Sequence, residues 1–252
     1  MTALVFGFFG LIVGSFLNVL ILRHDVRTLG GRSSCMSCKR EILWWDLIPV
    51  FSWLILRGRC RHCKVAISIQ YPIVEAITGI LFGAIAYALV PSFFLVDFIA
   101  VAPILLLSFA IISLLIAISV YDIYHTIIPD EWSYLFGGCA LVLSFLLGKG
   151  SAVEILTAGL ITAAPLFILW LVSKGEWMGL GDPKLALGIG WLLGPLDGTI
   201  AVFLSFVIGA LVSIIILIPL NKLRSQGEAL TMKSEVPFGP FLVASVLLVW
   251  LS

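Results

Sequence analysis

Runs of apolar residues about as long as a membrane-crossing helix fill most of this sequence of 252 residues. Hydrophobic residues make up 61% of the chain and charged residues 12%, whereas soluble domains are roughly a quarter charged. A soluble globule of this length could not bury so much apolar surface, and a disordered chain requires low hydrophobicity. The sequence therefore predicts an all-α polytopic membrane protein.

The bilayer core requires about 20 mostly apolar residues per helix. This length predicts about eight transmembrane helices, of which the sixth and the eighth are short. The chain then divides into a first transmembrane helix (1–22), a loop domain (23–71) and a transmembrane domain (72–252). The expected spans are residues 3–22, 72–90, 98–119, 131–147, 152–173, 184–195, 198–220 and 237–252.

The few basic residues are concentrated in loops expected on one side of the membrane. Residues 23–71 carry nine of the fifteen lysines and arginines, and the loops 173–184 and 221–236 carry two and three more. Alternation of the spans leaves only Lys149 on the opposite side. Because basic loops stay in the cytoplasm, we expect the N-terminus outside and the loop domain inside. The net charge of +1 indicates no nucleic-acid partner.

Two Cys-x-x-Cys pairs lie in the basic loop, Cys35 with Cys38 and Cys60 with Cys63. Four thiolates on two such turns are typical of a closed, tetrahedral zinc site. Two disulfides are the alternative interpretation, but thiols stay reduced in the cytoplasm. In so short a loop, a metal would supply much of the folding free energy. The fifth cysteine, Cys139, is expected to be a small packing residue.

Two aspartates lie at the membrane boundary on the expected cytoplasmic side. Asp122 follows the third span, and Asp182 precedes the sixth within Gly179-Leu-Gly-Asp182-Pro-Lys-Leu. Acidic side chains at such positions are costly and indicate a functional site. Two carboxylates that approach each other can share one proton, so that one activates water while the other acts as acid. This is a chemistry for peptide hydrolysis.

The same region also has structural interpretations. Asp182 can serve as the N-cap of the following helix, and Asp130, after Pro129, is expected to cap the fourth span. Gly179 and Gly181 permit backbone conformations that other residues resist and a close approach by a substrate. Capping and catalysis therefore both stay open for Asp182 at this point.

Together these segments resemble the type IV prepilin peptidases, the bacterial GxGD-type aspartic proteases. The match follows the family order over nearly the whole chain, although the first cysteine pair has Met36 where the family usually has proline. The matching segments are Gly14-Ser-Phe-Leu-Asn18-Val, both cysteine pairs, Ile67-Ser-Ile-Gln-Tyr71-Pro72-Ile-Val-Glu75, Asp122-Ile-Tyr-His-Thr-Ile-Ile-Pro129-Asp130, Gly179-Leu-Gly-Asp182-Pro-Lys184-Leu and Pro237-Phe-Gly-Pro240-Phe.

The resemblance implies that Asp122 and Asp182 are the catalytic pair and that the four cysteines bind structural zinc. It implies removal of the basic leader of type IV prepilins and pseudopilins at the cytoplasmic face of the bacterial inner membrane. It further implies N-methylation of the newly exposed residue with S-adenosyl-L-methionine. The residues expected to support the catalytic site are Gly179, Gly181, Asp130 and Lys184.

The residues do not place a site for S-adenosyl-L-methionine, because no glycine-rich nucleotide fingerprint follows a strand. Asn18 and Glu75 lie near the cysteine loop, where either could contact substrate or cofactor. We favour structural roles: an interhelical hydrogen bond for Asn18, and an ion pair with Arg23 or another loop base for Glu75.

Two alternatives stay open. Tyr121-Asp122 and Gly-Leu-Gly-Asp182 also resemble the presenilin and signal-peptide-peptidase pattern, which accounts for neither the cysteine loop nor Ile128-Pro129-Asp130. A zinc-ribbon membrane scaffold or a transporter is the second alternative, with the carboxylates as caps or proton relays. A transporter predicts acidic groups near the bilayer midplane, whereas these lie at the boundary.

Overall fold

A computed structural model describes residues 1–24, 31–93, 98–217 and 237–252. Arg27, Lys222, Arg224 and Lys233, which contribute to the expected orientation, lie outside these ranges. The elements are α1 (Thr2–Arg23), a 3-10 helix (Trp44–Leu47), α2 (Phe51–Ile55), α3 (Gln70–Phe93), α4 (Phe98–His125), α5 (Asp130–Leu146), α6 (Ala152–Ser173), α7 (Gly181–Leu193), α8 (Pro195–Val212) with a π-helical continuation (Ser213–Leu217), and α9 (Gly239–Leu251).

Five helices in the described part of the chain are long and apolar enough to cross a membrane, which confirms a polytopic, all-helical membrane protein. The helices α5, α7 and α9 correspond to the other three expected spans. A helix of 13 residues, such as α7 or α9, is about 20 Å long, whereas the hydrocarbon core is about 30 Å thick. The number of eight crossings therefore stays a prediction. The five helices are Thr2–Arg23, Gln70–Leu89, Val101–His125, Ala152–Ser173 and Pro195–Ile215.

The chain forms two compact units, residues 1–117 and 118–252. In the first unit, α1 packs along α3, and the rings of Phe82 and Phe109 stack with centroids 4.2 Å apart. In the second unit, α7 packs among α5, α6 and α8, and α9 packs against α8. Leu185, Ala186, Ile189 and Leu192 of α7 are fully buried as a result, so this short helix forms the centre of its unit.

Glycines allow α1 to approach α3 closely. A Cβ added at Gly14 would lie 2.7 Å from the Cα of Glu75, and one added at Gly10 would lie 2.7 Å from the carbonyl oxygen of Thr78. Small residues let membrane helices pack backbone against backbone in this way. The buried Asn18 amide donates a hydrogen bond to the carbonyl oxygen of Tyr71 at 3.3 Å. The interhelical role predicted for Asn18 is therefore confirmed.

We expect Gly14→Leu to destabilise the first unit by about 1–3 kcal/mol, because the added side chain would force α1 away from α3. Thermal unfolding of the purified protein in detergent measures this effect. Gly138→Leu is the matched control, because a Cβ at Gly138 meets no atom within 4 Å. An unchanged unfolding temperature for the Gly14→Leu variant would contradict the described helix contact.

Candidate active site and candidate metal centre

Asp122 lies in the last turn of α4 and is only 4% exposed. The third span was expected to end before this residue, but the helix continues to His125. The backbone N–H of Gly239, at the start of α9, donates a hydrogen bond to Oδ2 of Asp122 at 2.9 Å. A Cβ at Gly239 would lie 2.7 Å from the same oxygen. Only glycine therefore allows this approach.

Asp182 lies in the first turn of α7 and is 7% exposed. The N-cap of this helix is Leu180, without a side-chain cap hydrogen bond, so the capping interpretation of Asp182 is wrong. Asp182 lies outside the five long apolar helices. Burial, together with the negative charge of neighbouring Asp122, raises its pKa from an ordinary value near 3.8 to about 7. The fold thus brings together two aspartates that are distant in sequence.

The connection between α4 and α5 packs against the start of α7. A Cβ at Gly181 would lie 2.9 Å from the Cβ of Ile128, so glycine permits this contact. Lys184 Nζ binds Oδ1 of Asp130 at 2.7 Å. The N-cap of α5 is Pro129, not Asp130, so the predicted capping role of Asp130 is wrong and its carboxylate forms an interhelical ion pair instead.

Two features near the aspartates were not predicted from the sequence. Only one sequence feature pointed to the hydrogen bond from Gly239. This glycine lies between two prolines, in a segment that resembles the type IV prepilin peptidases. Tyr121 precedes Asp122, and its ring contacts those of His125 and Trp132 with centroids 4.3 and 5.4 Å apart. By contrast, a Cβ at Gly179 would meet no described atom nearer than 3.9 Å, so packing there does not require glycine.

The two cysteine pairs lie on turns of the same kind. The backbone N–H of the first cysteine in each pair, Cys35 or Cys60, closes a short hairpin by donating to the carbonyl five residues later, at 2.9 Å in both cases. The residue after each second cysteine, Lys39 or Lys64, has a positive φ of 56° or 59°. Residues other than glycine rarely adopt this backbone conformation. The repeated geometry indicates one shared task for the two turns.

The thiols of all four cysteines meet at one point. Their sulfur atoms lie within 4.8 Å of one another, and Sγ of Cys35 and Sγ of Cys63 are 3.8 Å apart. Sulfurs at about 2.3 Å from a tetrahedral zinc ion would be about 3.8 Å apart. The four cysteines are free thiols, not the two disulfides of the alternative interpretation. Hydrogen bonds from the backbone N–H groups of Cys38 and Ser37 lower the pKa of the Cys35 thiol to about 6.

Two protein-family models match parts of the chain. Residues 8–89 match the Bacterial Peptidase A24 N-terminal domain, and residues 109–214 match the Type IV leader peptidase family. No solved structure matches the chain. Three relatives share the name prepilin leader peptidase/N-methyltransferase. They come from Aeromonas hydrophila, Myxococcus xanthus and Neisseria gonorrhoeae.

The Aeromonas relative is 31% identical over 96% of this chain and 88% of its own length. The Neisseria relative is 29% identical over 91% of this chain and 87% of its own length. The Myxococcus relative is 35% identical over 73% of this chain, and the chain spans about half of its length, 54%.

Paired aspartates in a helical membrane protein, with a separate four-thiol cluster, are the arrangement expected of a membrane aspartic peptidase with a metal-binding loop. The chain belongs to the type IV leader peptidase family. The resemblance found in the sequence is therefore confirmed, and neither the presenilin-like nor the scaffold alternative accounts for both matches.

Proposed function

We propose that this chain removes the basic leader of type IV prepilins or pseudopilins and N-methylates the residue that cleavage exposes. Its family membership makes it an enzyme of the prepilin leader peptidase/N-methyltransferase type. The observation that carries the peptidase assignment is the buried pair Asp122 and Asp182, whose charges interact. Such a pair supplies the base and the acid that peptide hydrolysis requires.

In the proposed reaction, the ionised carboxylate of Asp122 accepts a proton from water as the water attacks the scissile carbonyl. Asp182 carries the shared proton and donates it to the departing amine. With a pKa of about 7, about half of the Asp182 carboxyl groups are protonated at neutral pH. The hydrogen bond from Gly239 orients the Asp122 carboxylate for this step.

Gly181, Lys184 and Asp130 help to set the distance between the two aspartates. Gly181 allows α7 to begin directly against Ile128, six residues after Asp122 in the chain. The ion pair between Lys184 and Asp130 holds the same two segments together at 2.7 Å. Because both partners are partly exposed, this pair contributes modestly to stability, about 0–1 kcal/mol. We propose that Gly181, Lys184 and Asp130 position the two aspartates. We propose that Gly179 gives the backbone before α7 conformational freedom.

Because Asp182 carries the shared proton, we expect leader cleavage to slow as the pH becomes alkaline. Asp182 must be protonated to act as acid, so kcat/KM for leader cleavage should fall as the pH rises through its pKa of about 7. The fall approaches about tenfold per pH unit above that value. Initial rates on a purified prepilin between about pH 6 and 9 measure it. A rate that stays level over this whole range would contradict the assignment of Asp182 as the acid.

Gly239→Ala is expected to reduce cleavage about 100-fold, because a displacement of about 1 Å at a reacting group has an effect of this size. The added Cβ would lie 2.7 Å from Oδ2 of Asp122 and push the carboxylate away. Initial cleavage rates measure the effect, with Gly138→Ala as the control in open space. Cleavage by Gly239→Ala at the wild-type rate would contradict the proposed positioning role.

The cysteine cluster is proposed to hold a structural zinc ion through Cys35, Cys38, Cys60 and Cys63. The sulfur separations and the free thiols support this assignment. Zinc would neutralise the thiolates and stabilise the loop domain, 23–71, between the first helix, 1–22, and the remaining domain, 72–252. We further propose that this loop and the aspartate pair face the cytoplasm of a bacterial inner membrane, with the N-terminus outside, as the distribution of basic residues supports.

The peptidase proposal is tested by incubating the purified, detergent-solubilised chain with a type IV prepilin. Gel electrophoresis should show a product shortened by the leader. The control is the same pilin supplied without its leader, which should keep its size. Persistence of the full-length prepilin with wild-type, zinc-loaded enzyme would contradict the proposal.

A further inference from the structure

The first unit contains a cleft of about 530 Å³ that the peptidase chemistry does not use. Sites for small molecules and cofactors have volumes of about 300–1,000 Å³ and mostly apolar walls with a few polar groups. Apolar side chains of Trp53, Leu56 and Val65 line this cleft, and so do the cysteines Cys35 and Cys60. The ionisable groups that also line it are Arg23, Arg40, Arg61, His62, Glu41, Asp46 and Glu75. The cleft therefore has the size and character of a ligand site.

Glu75 supplies a buried carboxylate to this cleft. Its side chain lines the cleft but is only 7% exposed. The backbone N–H of Val50 donates a hydrogen bond to Oε2 of Glu75 at 2.7 Å, and the Ser15 hydroxyl also hydrogen-bonds the carboxylate. Both donors are neutral, so they hold the carboxylate in place without neutralising it. The partner predicted for Glu75 was a basic side chain, whereas the loop group described at its carboxylate is a backbone N–H.

The backbone that donates to Glu75 is strained. Val50 has φ 60° and ψ −53°, a conformation that a β-branched residue rarely adopts. Such strain persists only where the surrounding structure enforces it, often at functional sites. Here the strained residue directs its N–H to the one carboxylate of α3 that lines the cleft. The contact between the loop and Glu75 is therefore built into the fold.

Side-chain contacts also connect other residues that line the cleft. Arg61, next to the third cysteine, forms a bidentate ion pair with Asp46, with its Nε and Nη2 atoms 2.9 and 2.6 Å from the carboxylate oxygens. The indole N–H of Trp53 donates to the carbonyl oxygen of Ile67 at 3.3 Å. Because these bonds join the cysteine turns to the 3-10 helix and α2, the cleft is formed before any ligand binds.

We propose that this cleft binds the methyl donor S-adenosyl-L-methionine and that the Glu75 carboxylate complements the positive charge of its sulfonium group. The inference rests on the proposed function, because N-methylation requires a donor site and the aspartate pair does not provide one. The aromatic and aliphatic wall around Trp53 suits the adenine ring. A buried carboxylate that is held by neutral donors suits a cationic ligand.

The transfer itself balances without a further reactant. The neutral N-terminal amine that cleavage exposes attacks the methyl carbon, and a carbon–nitrogen bond forms. The carbon–sulfur bond breaks with its electron pair on sulfur, so the donor leaves as the uncharged thioether S-adenosylhomocysteine. The nitrogen then releases a proton to water. Glu75 acts on donor binding in this scheme and takes no part in leader cleavage.

Isothermal titration of the full-length, zinc-loaded protein with S-adenosyl-L-methionine, without a prepilin, tests the site independently of turnover. We expect Glu75→Gln to weaken binding about tenfold or more, because it removes a charge and keeps an acceptor for the Val50 N–H. Ser52→Trp places a large side chain in the cleft and should abolish measurable binding. Glu176→Gln changes an exposed carboxylate of the second unit and is the matched control. Zinc content and the unfolding temperature of each variant show that the first unit is folded, and leader cleavage shows that the second unit is.

The outcomes separate the site from the function. If the wild-type protein binds, wild-type affinity in Ser52→Trp would overturn the assignment of the cleft, and wild-type affinity in Glu75→Gln would overturn the role of its carboxylate. Either result would leave the methyltransferase proposal intact. If the wild-type protein cleaves a prepilin but binds no S-adenosyl-L-methionine, both the assignment and the methyltransferase half of the proposed function are wrong. Weakened binding in both variants, with an unchanged control, supports the inference.

Discussion

Replacing either Asp122 or Asp182 with asparagine is expected to reduce leader cleavage about 10²–10⁴-fold, since this is the contribution of one acid–base group. Asparagine has nearly the same shape as aspartate, but it can neither accept the proton from water nor carry the shared proton. Both side chains are buried at helix ends in one unit, so the substitution leaves the surrounding helices in place. The double variant should be no less active than the slower single variant, because the two groups act as one unit.

Initial rates on a prepilin measure this loss, with membrane insertion and the unfolding temperature recorded for each variant. Asp197→Asn is the matched control, because Asp197 is an exposed aspartate in the first turn of α8. We expect the control to cleave at the wild-type rate. Cleavage retained by both single variants would exclude the aspartate pair as the catalytic group.

The second large effect is expected at the cysteine cluster. Replacing Cys35 and Cys60 with serine removes one ligand from each turn, and the protein should lose its zinc. Structural zinc contributes about 10–16 kcal/mol of apparent binding free energy in small domains, so the loop should lose its folded structure with the metal. S-adenosyl-L-methionine binding should be lost as well, because both cysteines border the cleft.

Metal analysis of the purified protein and limited proteolysis of the loop measure these changes. Cys139→Ser is the control, because this cysteine lies in α5 and does not belong to the four-thiol cluster. We expect it to keep one zinc per chain and wild-type resistance to protease. Wild-type zinc content after all four cluster cysteines have been replaced would refute the proposed ligand set.

The sequence predicted the helices well because long apolar runs indicate helices directly in a membrane protein. Each of the eight expected spans corresponds to a helix in the described residues. The largest shifts at helix starts, three residues each, are in α7 and α8, which begin at Gly181 and Pro195 where starts at 184 and 198 were expected. Proline is favoured in the first turn of a helix, whereas hydropathy alone places the start at the first long apolar run.

The roles of single acidic residues were harder to predict. Asp130 and Asp182 follow ordinary capping patterns, yet Pro129 and Leu180 occupy the N-cap positions. The contacts that decide their roles join different helices: Asp130 binds Lys184, and Asp182 lies near Asp122. A sequence pattern reports local preference and contains no distance between such segments.

Long-range contacts account for the rest of what the sequence did not predict. The hydrogen bond from Gly239 to Asp122 connects residues 117 positions apart. The cleft is assembled from α1, the cysteine turns and α3, and no single motif contains its lining residues. Glu75 could be singled out as acidic, but its neutral partners Val50 and Ser15 depend on the folded loop.

Intact-mass spectrometry of a prepilin incubated with the purified chain and S-adenosyl-L-methionine tests the central proposal most directly. With the wild-type protein, we predict a product that lacks the leader and is about 14 Da heavier than the bare cleaved form, the mass added by one methyl group. With Asp182→Asn, we predict the unchanged prepilin. Leader removal by the Asp182→Asn variant at the wild-type rate, or an intact prepilin after incubation with zinc-loaded wild-type protein, would contradict the account.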